Sequence, residues 1–535
     1  MVKNRFKGNR KNIREYFWGC AVFLLLIVYL SLFAYLNMAK YNQHVDSDIA
    51  AEALWAREIW TQKTLTPDDW IVSTKRYVFG MPTIAALFYG LTGSMTMAAG
   101  MACVLVGAVL AGVFYWFLRW IGLSRTASLA GLLALCAVPV NGLRNEGQMV
   151  PFVMLLLFLF AGYYALHSIL AFLAIGFYLH LRRGKIGRGT VGAWILLGGF
   201  ALLMCFEGQR CLQLLILPMA AAEAVMLFTE SKGFSAGLSS KRLLAAGFPA
   251  TLLLAYALSC LYKGQVDYPM YLQTPQDTVK RLLVTVPGAI LEGFGIAGGV
   301  RAGSFASLMQ MLVWAFLALV GYGLFLLFRK ERRDEEQRMA VGILVVSLGV
   351  TALIVALTTA EPAHNYFFFS WYIAVIVVGW LVDKFRKTGA WFGDLILLSL
   401  CVFALLNLRY TYADSVMTRD NLKEYEEVAD FLIEEGVEYG YAEFWDAGRI
   451  SLVRDGAVTM GHSYAMEDLE MYWWLTSLKW YPPSLQEEMR TAYVVRNAKK
   501  EAFESQFGTD GGPELRFEND RFAVYIGDVN YMKMY

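Results

Sequence analysis

The chain has 535 residues, of which 57% are hydrophobic and only 17% charged, with a formal charge of +2. A soluble globular protein is not this oily, so the composition defines a polytopic membrane protein and no nucleic-acid partner is expected of it. The seven cysteines sit in or at the edges of apolar segments and none follows Tyr410, which argues against a disulfide scaffold and a cysteine metal site.

In chain order, residues 1–16 form a basic tail, and 17–409 a transmembrane domain. Apolar runs able to cross a bilayer core of about 30 Å, roughly 20 helical residues each, fall near 17–38, 95–118, 124–140, 151–181, 190–206, 211–228, 243–262, 305–328, 339–359, 366–382 and 389–408. About 11 transmembrane helices are therefore expected. The first has no small-residue cleavage pattern before Asp46 and reads as a retained span rather than a signal peptide. Residues 77–91 read as a short interfacial or re-entrant piece, and 151–181 as one long, bent or partly interfacial helix. An odd number of spans puts the termini on opposite sides. The basic stretches VKNRFKGNRKNIR, LRRGKIGR and RKERRDEEQR assign the N-terminus to the cytoplasm and the tail to the outer face of the cell membrane.

Past Tyr410 the composition turns acidic, and 410–535 reads as a small extracytoplasmic α/β domain. A helix, NLKEYEEVADFLIEEG, is expected to stop at Gly436. Strands are expected around YGYAEFW, ISLVRDGAVTMG, TAYVV and RFAVYIG. The outward connections are the large first loop 39–94, NGLRNEGQ (141–148), FEGQR (206–210), 263–304 and TAEPAHNY (359–366).

The first loop carries DSDIAAEALWAREIWTQKT, from Asp46 to Thr64. Ile49, Ala53, Ala56 and Trp60 recur on one helical face, with Glu52, Glu58, Gln62 and Lys63 on others, as in a helix lying at the membrane interface. Asp46, Ser47 or Asp48 could each cap its start, because a short oxygen side chain satisfies an orphan N–H and a negative charge suits the positive helix end. Capping accounts for one carboxylate and leaves the second unexplained.

Read from Asp48, the series Asp48, Ala50, Ala53, Ala56, Arg57, Glu58 is similar to the D-E-A-x-x-A-x-x-A-R-E first-loop pattern of the lipid-linked-sugar glycosyltransferases of the GT-C fold, such as the protein O-mannosyltransferases and the aminoarabinose transferases. TPDDW (66–70) resembles that family's G-D-W turn. Ile49 stands where the family has Glu, and Gly80-Met81-Pro82 replaces its Lys-Pro-Pro. The resemblance implies Asp48 as the catalytic base or acceptor orienter and a sugar arriving on a polyprenyl phosphate. Asp46 is then the candidate second carboxylate, and Lys75 or Arg76 the missing cation.

Glycosyl transfer from a phosphate-linked donor needs a base for the acceptor's proton and cations for the leaving phosphate. The outer-edge cations are Lys75, Arg76, Arg144, Arg210 and Arg301, and a planar guanidinium suits phosphate. Arg210 also has Glu207 three residues before it, the spacing of a local ion pair. Arg301 lies in GFGIAGGVRAG, where glycines let backbone N–H groups approach an anion. Glu146, Glu361 and His364 are candidates to join Asp46 and Asp48 around a divalent metal, Mg²⁺, Mn²⁺ or Ca²⁺, as in the oligosaccharyltransferases, with T-T-A-E at 358–361 echoing their Thr-x-x-Glu.

Glu223 within a span, and His167 and His180 in a greasy segment, suit helix packing as well as function. The aromatics of TYADS, EFWD and YWWLTSLKWY suit a domain core or membrane-facing packing, with a sugar-binding cleft lined by stacking as the alternative. The expected activity is transfer of a sugar from a polyprenyl-phosphate donor to a glycan, lipid or protein acceptor on the outer face. A flippase of lipid-linked saccharide is the competing reading, but no internal repeat is evident and the charges gather at the outer rim. A silent scaffold of the same fold, with both aspartates as caps, is the third.

Overall fold

The computed structural model describes the chain except for residues 1, 73–77, 138–156, 185–186, 231–239, 263–269, 297, 330–333, 390, 417–421, 438, 482–487, 509–510 and 535. Long apolar runs fold as helices because no other single segment satisfies its backbone in lipid. Through the apolar region run α1 (Val2–Ala39), α2 (Ser47–Gln62), the short strand β1 (Trp70–Ile71), α3 (Met81–Thr92), α4 (Met95–Trp120), α5 (Arg125–Cys136), α6 (Ala165–Arg182), α7 (Arg188–Cys205), α8 (Leu217–Glu230), α9 (Ser240–Ser259), α10 (Pro275–Lys280), α11 (Val286–Gly293), α12 (Phe305–Phe328), α13 (Glu335–Leu357), α14 (Phe369–Lys387) and α15 (Phe392–Val416). The tail supplies α16 (Lys423–Glu435), β2 (Tyr439–Glu443), α17 (Phe444–Val453), β3 (Met460–Ser463), β4 (Thr476–Ser477), β5 (Glu488–Arg496), α18 (Lys500–Phe507), β6 (Glu514–Glu518) and β7 (Phe522–Val529).

Among the described residues each of the eleven apolar segments contains a helix, namely α1, α4 to α9 and α12 to α15. Among the described residues, seven helices are long and apolar enough to cross a membrane by length and composition; α5, α8, α9 and α15 provide shorter apolar stretches. Residues 151–181 are not one helix: Phe160 (φ 44) and Gly162 (φ 57) turn the backbone into the left-handed region, and α6 begins only at Ala165. Residues 77–91 are likewise separate from the following span, since α3 ends at Gly93 (φ 70), which caps it.

The chain divides into two compact units. One holds residues 1–33, 106–261 and 269–417. Within it α14 is buried continuously from Trp371 to Asp383. Small residues let α5 cross it closely: a Cβ on Gly379 would lie 3.2 Å from the Ala127 carbonyl oxygen, and one on Gly131 3.5 Å from that of Val375.

The other unit holds residues 34–105, 262–268 and 418–535, so the first loop and the tail belong together. Its sheet runs β3-β2-β5-β7-β6, with β2 parallel to both β3 and β5, and β7 antiparallel to its neighbours. Tyr425, Val428 and Leu432 of α16 and Ile450 of α17 pack on Ala442, Met460, Val494 and Val524 of the strands. Gly436 ends α16 in the left-handed conformation, as expected. The strand expected over ISLVRDGAVTMG is half helix: Ile450 to Val453 close α17, and only Met460 to Ser463 pair as β3.

Candidate functional site

The head of α2 resolves which aspartate caps the helix. The Ile49 N–H donates to Asp46 Oδ1 at 2.9 Å, so Asp46 is the N-cap and Asp48 lies in the first turn. Burial pushes the Asp46 carboxyl up to about 6; the neighbouring Asp48 adds to this, while hydrogen bonds from Ile49 and Asp48 N–H groups and the charge of Arg449 oppose it. Glu52, one turn on, is buried, and Tyr41 is buried within electrostatic reach of both Glu52 and Asp46. Three carboxylates thus gather at one helix start, with the Arg449 guanidinium as a neighbouring cation.

The amphipathic reading of α2 inverts in part. Glu52 and Glu58, expected on the wet faces, are buried, while Trp60 is the exposed one and carries Lys63 Nζ 3.5 Å over its ring. Glu52 lies within electrostatic reach of Tyr41 and Cys103, whereas Glu58 is met by Lys479 of the tail at 3.9 Å. A Cβ on Gly448 of α17 would stand 3.1 Å from Ala50 Cβ and 3.4 Å from the Ser47 carbonyl oxygen, so the two helices touch at their smallest residues.

The other residues that carried the resemblance join the loop to the tail. Arg57 donates to the Gly456 carbonyl at 3.3 Å and pairs with Glu58 at 3.2 Å. Asp69 accepts from Gln62 at 2.7 Å and from Ser477 Oγ, with Lys479 Nζ at 3.4 Å. Burial would raise its carboxyl, but these donors hold it below the usual carboxylate value. β1 pairs with β4, and Trp70 stacks on Trp55 and meets Trp480 edge-on, with centroids 5.8 and 5.4 Å apart. Asp455 accepts from Met95 N–H at 2.7 Å, capping α4.

Arg210, Arg301, Glu361 and His364 belong to the other unit. Glu207 lies 3.0 Å from His167 Nε2, both buried, and the Arg210 guanidinium sits 4.4 Å over the Tyr164 ring. His167 is therefore a polar partner within the helix bundle rather than simple packing. Arg301 is exposed between Gly299 (φ 79) and Gly303 (φ 77), in glycine-shaped backbone as expected. Glu361 is exposed, and His364 Nδ1 lies 3.6 Å from Glu292 Oε2. Thr358 and Ala360, in the T-T-A-E stretch, offer their carbonyls to Arg281 at 2.6 and 2.8 Å, so that this unforeseen arginine shapes the segment. Glu223 is paired within the bundle by Tyr178 Oη and by Arg182 at 3.0 Å.

Lys75, Arg76, Arg144 and Glu146 lie outside the described residues. Among the described residues no group of three or more His, Cys, Asp or Glu side chains is arranged to hold a metal ion. Glu146, one of the proposed set of Asp46, Asp48, Glu146 and Glu361, is among the residues outside the description, and the reaction is derived without a metal step. All seven cysteines are free, with Cys20 and Cys260 exposed and the rest buried.

Comparison with known proteins agrees with this architecture. No family model and no curated protein matches the sequence. Among solved structures, ArnT from Cupriavidus metallidurans bound to undecaprenyl phosphate is similar at a TM-score of 0.53 and 13% identity, over 94% of this chain and 97% of that one. The apo state of the same protein gives 0.55 over the same shares. An Archaeoglobus fulgidus oligosaccharyltransferase in complex with Zn and sulfate gives 0.49 and 10% identity, over 82% of this chain and 62% of that one. The fold is that of ArnT, a GT-C fold: a polytopic helical membrane part with a small sheet-containing C-terminal region.

Proposed function

We propose that this chain is a membrane glycosyltransferase that moves a sugar from a polyprenyl-phosphate carrier to an acceptor at the outer face, with Asp48 as general base. The observation that carries the reading is the division at the head of α2 within an ArnT-like fold. Asp46 accepts the capping hydrogen bond, so Asp48 is not needed as the cap of the same turn.

In the reaction, Asp48 takes the proton of the acceptor hydroxyl as its oxygen attacks the anomeric carbon. The bond from that carbon to the phosphate oxygen breaks, and the polyprenyl phosphate leaves with the electron pair. Attack opposite the leaving group inverts the anomeric centre. The cations proposed from the sequence for the departing phosphate are Lys75, Arg76, Arg144, Arg210 and Arg301. Asp46 has a positioning role, since its cap fixes the turn that carries Asp48. The N-terminus is placed in the cytoplasm and the tail outside, where the acceptor is met.

The test is transfer from a radiolabelled polyprenyl-phosphate sugar in membranes. Asp48→Asn should lower the rate about 10²- to 10⁴-fold, the usual contribution of a general base. Asp46→Asn keeps a capping side chain and should lose far less. Undiminished transfer by Asp48→Asn would remove the proposed base, and translocation of the lipid-linked sugar without any transfer would make the chain a transporter.

A further inference from the structure

Asp446 is almost fully buried at the start of α17, yet three guanidiniums crowd it and its partner Tyr425. Asp446 accepts from Tyr425 Oη at 2.8 Å and from Arg496 Nε at 2.6 Å, and Arg521 Nη2 stands 3.6 Å away. Arg449 donates to Tyr425 Oη at 3.1 Å, with its guanidinium carbon 4.2 Å from the ring centroid, and Arg521 lies 4.9 Å from the same centroid. Among the described residues no carboxylate forms an ion pair with Arg449, and its Nε is buried without a hydrogen-bond partner. Of the other nearby acids, Glu443 holds Lys499 at 2.7 Å and Glu467 shares that ammonium at 3.4 Å, and Asp46 lies within electrostatic reach of Arg449 without an ion pair.

Topology independently marks the same place. β2 lies between β3 and β5, parallel to both, and the chain leaves β2 through α17 to β3 and then crosses to β5 on the other side. Open parallel sheets take their ligands outside the carboxyl ends of the strands where the order reverses in this way. Glu443 and Arg496 end β2 and β5 at that edge, and the pairing of Arg496 with Phe522 brings Arg521 to it from the β6–β7 turn.

We infer that the carboxyl edge of the β3-β2-β5 strands is an oxyanion site that takes a phosphate monoester on Arg449 and Arg521. Asp446 matches one of the three guanidinium charges, through Arg496, and Asp46 faces a second, on Arg449, so the cluster keeps a net positive charge for an anion with several acceptor oxygens. Planar guanidiniums supply the paired N–H donors that phosphate oxygens accept. The phosphate can be free or carried on a lipid headgroup.

Titration calorimetry on the detergent-solubilised full chain tests this, with inorganic phosphate as the free anion and dioleoyl phosphatidate, against phosphatidylcholine, in mixed micelles. Saturable binding is expected, weakened ten-fold or more by Arg449→Gln and by Arg521→Gln but unchanged by Arg490→Gln, whose guanidinium pairs with Glu435. Preference for phosphatidate assigns a lipid headgroup, and preference for inorganic phosphate a free ligand. Absent binding, or equal loss in Arg490→Gln, overturns the site. Arg449 packs on a core tyrosine, so Arg521→Gln, with 41% of its side chain exposed, keeps the test decisive if the first variant does not fold. Binding is read without turnover: its failure leaves the transferase reading standing, and Asp48→Asn should bind phosphate as the parent does.

Discussion

A carboxylate that accepts the N-cap hydrogen bond of a buried helix start has its own titration, and at Asp46 that titration has a direction. In the unfolded chain an aspartate releases its proton near 3.8, whereas burial holds the proton on Asp46 to about 6. Between these values the unfolded state binds fewer protons, so stability falls as pH rises through the window and levels off above it, by at most about 3 kcal/mol. Asparagine keeps the cap and cannot ionise. Asp46→Asn is therefore expected to unfold at a higher temperature than the parent at pH 8, with the gap closing by pH 4; a gap that survives at pH 4 would assign the effect to something other than ionisation. The two aspartates were legible because D-x-D at a helix start exceeds what capping needs. Arg449 was not, because it lies some 400 residues further on in a stretch whose apolar alternation imitates a strand.

At the level of elements, the contact between α2 and α17 explains both what the hydropathy pattern captured and what it missed. Helix existence followed from apolar length, a property of each segment alone. Burial of Glu52 beside Tyr41 and Cys103, and of Glu58 beside Lys479, depends on segments distant in sequence, which no local periodicity can register. The alanines that carried the resemblance have a packing reason: Ala50 faces Gly448 where even one added carbon would press at 3.1 Å. Gly448→Val should therefore push the helices apart and cost about 1–3 kcal/mol, the usual range for overpacking. Since the displaced element carries Asp48, transfer should fall together with the midpoint of thermal unfolding. Gly448→Ala should fall between parent and valine in both measurements, and a valine variant as stable as the parent would show that the crossing has slack.

For the whole molecule, the grouping of residues 34–105 with 418–535 means that the tail is not an appended domain with a core of its own alone. Asp455 caps α4, β4 completes β1, and Lys479 reaches Glu58 and Asp69. Composition separated the acidic tail from the apolar region but could not reveal this, because sequence order shows only covalent neighbours. The proposed sidedness rests on the eleven apolar segments read from the sequence, an odd number, together with the basic residues flanking them. It is checked in a chain whose native cysteines are replaced, by placing single reporters with Asn4→Cys and with Glu501→Cys on the exposed face of α18. A membrane-impermeant maleimide should label the reporter at 501 in intact cells and the one at 4 only after permeabilisation. Labelling of both in intact cells, or of neither, would require an even number of crossings, and would mean either that one of the shorter apolar helices α5, α8, α9 and α15 dips into the membrane without passing through it or that α3 crosses it.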